Sequence, residues 1–144
     1  FPEALIEFQT AIDMNPEYGE AWYSRANTLK ELGRLAEAEQ SYFKARTLMP
    51  DSWRADLMLG LMYLTRMERP VDAVAAIRSS VAKVEIPGTP FFSSRPYLML
   101  AGALDETGDE KGCREMLQKA ARYPETREEA LLHLREMDAE SGKK

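Results

Sequence analysis

A period of 34 residues constrains this 144-residue chain more than any other feature of its sequence. When the chain is laid against itself at that shift, small, aromatic and proline residues coincide: Ala4 with Ala38, Phe8 with Tyr42, Ala11 with Ala45, and Pro16 with Pro50. In each copy the two alanines lie seven residues apart with the aromatic residue between them, so the three side chains share one helical face. Small residues on that face allow two helices to approach closely, and a repeat of this length is typical of stacked helical units.

Composition and charge favour a helical chain and argue against two classes of partner. Ala, Leu, Glu, Arg and Met dominate, and these residues lose little conformational freedom in a helix, so we expect a single all-α domain over residues 1–144. The net charge is −5 and no cluster of Lys and Arg stands out, so we expect no nucleic-acid partner. The longest apolar run, Leu57 to Leu64, is far shorter than the roughly 20 residues of a bilayer span, so we expect no membrane insertion.

The residues after Asn15 resemble the tetratricopeptide repeat family. The resemblance rests on a proline, an aromatic residue, a glycine and small residues at fixed spacing: Pro16, Trp22, Ala26, Leu29, Gly33, Ala38, Tyr42, Ala45 and Pro50. It implies a right-handed α-α superhelix of antiparallel helix pairs, closed by a C-terminal capping helix. It also implies that Trp22, Tyr42 and Phe8 are core residues.

The same resemblance divides the chain into segments. They are the second helix of a truncated repeat (1–15), repeat 1 (16–50), repeat 2 (51–84), an irregular loop with three prolines (85–96), repeat 3 (97–124) and a capping helix (125–140). Repeat 2 departs from the pattern because Asp56 occupies its Trp position and it lacks the turn glycine. The chain begins inside a helical pattern without an initiator Met, so we expect it to be a piece of a longer protein.

In this family the first helix of each pair lines a concave groove, which is where the resemblance places binding. The implied groove residues are Tyr23, Asn27, Lys30, Arg54, Leu57, Met58, Leu61, Arg95, Leu98 and Met99. Their middle is apolar and rich in methionine, which suits a surface that adapts to a guest. We therefore expect a protein-interaction scaffold that binds a peptide or helix of a partner. The alternative for the apolar helix at residues 55–64 is burial between its neighbours.

Two further hypotheses concern residues at the edge of this groove. Phe91 and Phe92 are costly to leave in water, so we expect one of them to pack against the inner helices as a groove plug. Arg54 and Arg95 occupy equivalent positions in successive repeats. They could share one acidic group of a ligand, or each could pair with a nearby Glu or Asp of the chain.

The sequence offers no group for catalysis or metal binding. Cys113 and His133 are the only residues of their kinds, which leaves no His-Cys ligand set and no complete nucleophile and base arrangement. We expect Cys113 to be a packing residue, the protein not to be an enzyme, and no metal or cofactor to be bound.

Two alternatives to the scaffold hypothesis stay open. The first is a homo-oligomerisation module, in which a second copy forms a homodimer over an exposed helix face lined by Ala4, Phe8 and Ala11. The second is a non-catalytic repeat region of a larger enzyme.

Overall fold

The computed structural model describes residues 1–143, which contain eight α-helices and no strand. The helices are α1 (Pro2–Met14), α2 (Gly19–Glu31), α3 (Leu35–Leu48), α4 (Arg54–Thr65), α5 (Pro70–Val84), α6 (Arg95–Glu106), α7 (Glu110–Ala120) and α8 (Arg127–Ser141). Each helix packs on the helix before it and the helix after it, and α4 also contacts α2 and α6. The chain is thus an all-α solenoid of helix pairs, in which α2, α4 and α6 form one layer.

The antiparallel turns inside the pairs use a residue in the left-handed conformation. Gly33 and Gly108 have φ values of 75° and 81°, and the amide of the next residue closes each turn on a carbonyl five residues back. In the second pair Glu68 takes that place with φ of 50°. A side chain is strained in this region, so the missing glycine of repeat 2 is replaced at a conformational cost.

The repeat positions form the centre of the core. Ala38, Tyr42 and Ala45 are fully buried on one face of α3, as their spacing predicts. In α4, Gly60 has no room for a side chain, because a Cβ there would lie 2.4 Å from Cγ1 of Ile77. The small residues therefore allow the close approach of the paired helices that the sequence indicated.

Two aromatic residues expected in the core lie at its edge. Trp22 and Phe8 are only half-buried and lie outside the central hydrophobic cluster. The indole Nε1 of Trp22 donates a hydrogen bond of 2.9 Å to the carbonyl of Pro16, which ties the entry turn of α2 to its first helical turn. The expectation for these two side chains is corrected, because α1 covers only part of the surface of α2.

A buried ion cluster occupies the position of the tryptophan in repeat 2. Asp56 is fully buried, and its Oδ2 accepts a hydrogen bond of 2.5 Å from Nζ of Lys83 on α5. Nε of Arg46 on α3 lies 2.9 Å from the other carboxylate oxygen, off the direction of a hydrogen bond. The cluster therefore joins α3, α4 and α5, and thus repeats 1 and 2.

The loop after α5 is pinned to the segment between α7 and α8. The carboxylate of Glu125 accepts hydrogen bonds from the amide and hydroxyl of Ser94, each 2.9 Å, and from the hydroxyl of Ser93. Partial burial acts to raise the pKa of Glu125, but these hydrogen bonds and the charge of Arg95 leave it below its ordinary value. Helix α6 then begins at Arg95, with Pro96 in its first turn. In the described part of the chain, no helix combines the length and apolar character needed to cross a bilayer.

Candidate functional site

Seven of the ten predicted groove residues line one cleft between α2, α4 and α6. This central cleft has a volume of about 340 Å³ and is lined by Tyr23, Trp53, Arg54, Leu57, Met58, Leu61, Arg95 and Met99. Trp53 was not predicted, because it precedes α4 and so falls outside the helical pattern from which the groove positions were read. The inner helices bring the predicted residues together because they repeat on one face of successive first helices.

The floor of the central cleft is apolar and half open. Met58, Leu61 and Met99 are half-buried, so each presents part of its side chain to the cleft and part to the core. Leu57 is buried, with 7% of its surface exposed. Both interpretations of helix α4 are therefore partly correct, since one face of the helix is core and the adjacent face lines the cleft.

The two arginines at the rim are already paired within the chain. Both terminal nitrogens of Arg54 donate to the carboxylate of Glu20 at 3.1 Å, and the guanidinium carbon lies 4.5 Å from the centre of the Tyr23 ring. Arg95 pairs with Glu129 on α8, with 3.7 Å between charged atoms. The arginines thus have separate acidic partners. The pair of Arg54 joins α4 to α2, and the pair of Arg95 joins α6 to α8.

Three predicted groove residues lie away from the cleft. The carbonyl oxygen of the Asn27 side chain accepts a hydrogen bond of 2.6 Å from the hydroxyl of Tyr42, and burial raises the pKa of Tyr42, which keeps that hydroxyl protonated. Nζ of Lys30 lies 3.3 Å from the carboxylate of Glu31. Leu98 is buried in the core with 6% exposure.

The predicted groove plug is not formed. The ring of Phe91 is 85% exposed, and its residue has a positive φ of 54°. Phe92 packs on Tyr123 with ring centres 5.1 Å apart, beside the loop and not in the central cleft. Phe92 packs on Tyr123 instead of entering the groove. The sequence alone did not indicate that Tyr123 would lie close to Phe92.

A second cleft lies between α6, α7 and α8. This C-terminal cleft has a volume of about 200 Å³ and is lined by Ala101, Gly102, Asp105, Cys113, Leu117, His133, Glu136, Met137 and Glu140. Its α8 residues were missed because α8 was interpreted only as a cap. Pro124 precedes α8 as Pro16 and Pro50 precede α2 and α4. That signal could have marked α8 as a further groove-lining helix.

Cys113 and His133 carry no sign of reactivity. Cys113 is buried, with 4% exposure, and its pKa is raised, first by burial and then by nearby carboxylates, which disfavours the reactive thiolate. His133 is exposed on α8. Among residues 1–143, no three His, Cys, Asp or Glu side chains are placed to hold a metal ion.

The helix face expected to support self-association is partly covered. Ala4, Phe8 and Ala11 are half-buried, because α1 packs on α2 with that face. The large apolar residues exposed on α1 are Ile6 and Met14, and Phe1 just before the helix is exposed too, with 68%, 83% and 69% exposure. The homodimer stays a prediction, and the exposed apolar residues near α1 are not the ones that the sequence indicated.

Helix pairs stacked around a grooved inner layer define the class of helical-repeat solenoids, and comparison with known proteins gives the family. The sequence model described as "Tetratricopeptide repeat" matches residues 7–40. This stretch runs from α1 through α2 into α3 and is one period long. Residues 7–40 are thus a tetratricopeptide repeat, and the resemblance found in the sequence is confirmed.

One curated relative is similar to the chain over a short stretch. The uncharacterized protein MJ0572 of Methanocaldococcus jannaschii is 43% identical over 42 residues, which is 29% of this chain and 49% of that protein. The chain therefore spans about half the length of this relative.

Solved structures show the same fold over most of the chain. PilW, described as a widely conserved type IV pilus biogenesis factor, has a TM-score of 0.67 and 22% identity over 81% of this chain and 52% of its own. YrrB, described as a TPR protein with an unusual peptide-binding site, has a TM-score of 0.71 and 24% identity over 85% of this chain and 60% of its own. MamA has a TM-score of 0.67 and 17% identity over 97% and 90% of the two chains. At these identities the likeness establishes the fold alone.

Proposed function

We propose that the chain is a protein-interaction scaffold and that the central cleft holds a peptide or helix of a partner protein. The observation that carries this proposal is the cleft itself, about 340 Å³ of apolar-lined space at the meeting of three inner helices. Exposed apolar surface of this kind is uncommon on proteins that bind nothing. A solenoid offers such a surface along its inner layer.

The lining of the cleft suits a polypeptide guest. Half-buried methionines at Met58 and Met99 can change rotamer to fit different side chains, because thioether chains are unbranched and polarizable. The rim supplies the Arg54 and Glu20 pair, whose outward-facing atoms can bond to peptide groups of a guest. Apolar anchors inside a polar rim are the usual arrangement of peptide-binding grooves.

The fold comparison adds independent support. YrrB, with a similar fold over 85% of this chain, is described as having a peptide-binding site. Its site is a property of that protein, and it supports the proposal by showing that this architecture accommodates a peptide.

A selection experiment with matched variants tests the proposal. The wild-type chain is used to enrich binders from a phage-displayed library of random nonapeptides, and the binders are then measured against a variant carrying Met58→Gln, Leu61→Gln and Met99→Gln. Leu57 and Leu98 are left intact because they are buried and their loss would unfold the core. We expect the triple variant to keep its fold and to lose at least about tenfold in affinity, since each change places a polar group in the apolar floor.

The control carries the same type of change at three exposed apolar positions elsewhere. Ile6→Gln, Val71→Gln and Leu132→Gln alter side chains that are 68%, 73% and 48% exposed, so peptide affinity should stay at the wild-type value. Equal binding of the selected peptides by the cleft variant, or a failure to select any peptide, would contradict the proposal. Circular dichroism and melting temperature confirm that both variants fold.

A further inference from the structure

One face of α6 connects the two clefts. Arg95, Met99, Gly102 and Asp105 follow one another at steps of four, three and three residues, which places them in a row along the helix. The first two line the central cleft and the last two line the C-terminal cleft. A guest that follows this row therefore passes from apolar to acidic surroundings.

Gly102 at the junction of the clefts has no packing reason to be glycine. A Cβ built at this position would meet no heavy atom within 4 Å, and Gly102 is exposed in the middle of α6. Gly60 on α4 is different, because a side chain there would clash with Ile77. Glycine weakens a helix, and one use of an unpacked glycine is to let the backbone of a ligand approach closely.

The C-terminal cleft has an excess of negative charge. Asp105, Glu136 and Glu140 line it, and no lysine or arginine among residues 1–143 does so. None of the three carboxylates forms an ion pair within the described chain, whereas both rim arginines of the central cleft are paired. Burial is the main cause of the raised pKa of Cys113; the charge of Asp105 raises it further, and that of Arg114 lowers it.

We infer that a peptide bound in the central cleft runs along α6 over Gly102 and places a lysine or arginine side chain in the C-terminal cleft. This inference rests on the proposed function, and it adds the chemistry of the partner: an apolar anchor residue and a basic residue. Met99 and Asp105 are six residues apart, about 9 Å along the helix axis. An extended peptide rises about 3.3 Å per residue, so the two residues of the partner are about three positions apart.

A peptide cation fits the C-terminal cleft better than a metal ion. The described side chains include no group of His, Cys, Asp and Glu placed to hold a metal. The cleft also has apolar walls, contributed by Leu117 and Met137. A lysine or arginine can pack its aliphatic stem on such walls while its charged end reaches the carboxylates.

The first test is the composition of the peptides selected from the nonapeptide library. We expect binders to share a bulky apolar residue with Lys or Arg about three positions away, on either side. Binders with an apolar residue but no enrichment of Lys or Arg, which lose affinity for the Met58, Leu61 and Met99 variant, would overturn the inference and leave the proposed function standing. Selection of no peptide would overturn both.

The second test removes the charges on each side of the interaction. The variant Asp105→Asn, Glu136→Gln, Glu140→Gln is measured with a selected peptide and with the same peptide carrying norleucine in place of its basic residue. We expect at least about tenfold weaker binding of the basic peptide and little change for the norleucine peptide, because only the first uses the carboxylates. The matched control is Asp51→Asn, Glu7→Gln, Glu115→Gln, three exposed carboxylates elsewhere. Equal losses for both peptides, or for both variants, would overturn the inference.

The third test closes the path between the clefts. Gly102→Leu adds a side chain in open space, so the fold should be kept while the selected peptide loses at least about tenfold in affinity. Ala75→Leu adds the same side chain at an exposed position of α5 and should bind normally. Unchanged affinity of Gly102→Leu in a folded protein would show that the peptide does not pass over α6 at this position and would overturn the inference.

Discussion

Repeat 1 and repeat 2 occupy equivalent places in the stack but fill one key position in opposite ways. Repeat 1 follows the tetratricopeptide pattern closely, yet its Trp22 is only half-buried and bonded to the backbone of Pro16. Repeat 2 has Asp56 at that position, and this carboxylate is fully buried between Arg46 and Lys83. The position thus tolerates either an aromatic ring or a carboxylate, provided that the polar group it carries has partners.

The difference teaches how adjacent repeats are joined. Trp22 connects α2 to its own entry turn, so its contact is local. Asp56 connects α3 of one repeat to α4 and α5 of the next, so its contact spans the boundary between repeats. This departure from the repeat pattern therefore places a buried polar contact across the boundary between two units.

Replacement of Asp56 should have the largest effect on stability. Asp56→Ala leaves Arg46 and Lys83 without their shared carboxylate, and breaking a buried ion pair typically costs about 3 to 5 kcal/mol. Because Arg46 and Lys83 keep 32% and 17% of their side-chain surface exposed, water can partly replace the carboxylate, and we expect a loss of about 3 kcal/mol. Urea unfolding gives the free energy of unfolding. A loss below that of Trp22→Ala would contradict the contrast between the repeats.

Replacement of Trp22 should cost less than that of Asp56. Large aromatic residues lose about 3 to 5 kcal/mol on truncation when fully buried, and Trp22 is half-buried, so we expect Trp22→Ala to cost about 2 kcal/mol. Trp22→Phe removes the hydrogen bond to Pro16 but keeps a smaller aromatic ring at the position, so it should cost less than Trp22→Ala. Equal losses for the two variants in urea unfolding would show that an aromatic ring of that size adds no packing energy there.

Gly60 on α4 and Gly102 on α6 provide a pair of mutations with opposite expected effects. Gly60→Ala forces a Cβ toward Ile77, 2.4 Å from its Cγ1, and we expect a loss of about 1 to 2 kcal/mol. Gly102→Ala meets no atom within 4 Å, and we expect a gain of up to about 1 kcal/mol from helix propensity. Thermal unfolding measures the predicted loss of stability of the first variant and the predicted gain of the second. A gain for Gly60→Ala would show that the second helix pair is less closely packed than the first.

Glu125, which directly follows the third repeat, extends the comparison to an exposed carboxylate, and its replacement should have the smallest effect. Its pKa is lowered in the folded state, so its stabilising contribution is present above the ordinary pKa and is lost as the pH falls through the folded value. Because solvent screens this group, we expect Glu125→Gln to lose less than about 1 kcal/mol at pH 7. Stability curves of wild type and variant should converge once the pH has fallen below the folded-state pKa of Glu125, where the carboxyl group is protonated. Parallel curves would indicate that the carboxylate charge plays no part.

Much of the fold could be predicted because the repeat encodes it locally. The spacing of Ala38, Tyr42 and Ala45 fixed one helical face, and Gly33 and Gly108 marked the turns. What the sequence could not give is contact between residues far apart in the chain. The pairing of Asp56 with Lys83, and of Glu125 with Ser94, depends on how whole helices and loops meet.

The candidate site was predictable to a similar extent. Two pairs of residues at equivalent positions in successive first helices, Tyr23 with Leu57 and Met58 with Met99, did meet in one cleft. Asn27 was assigned to the groove by position, but its neighbour Tyr42 holds it by a hydrogen bond that the repeat pattern does not specify. The α8 carboxylates of the C-terminal cleft, Glu136 and Glu140, were missed because α8 lies beyond the last complete repeat.

Because α4 and α8 are packed unequally, we expect them to open at different rates. Helix α4 buries seven residues and touches helices on several sides, whereas α8 buries Ala130 and packs mainly on α7. Local opening in a solenoid begins where such contacts are fewest, so amide hydrogens of α8 are expected to exchange with solvent long before those of α4. The central cleft would then stay formed while α8 opens and closes many times. A bound peptide would find the central cleft always present and the C-terminal cleft present only part of the time.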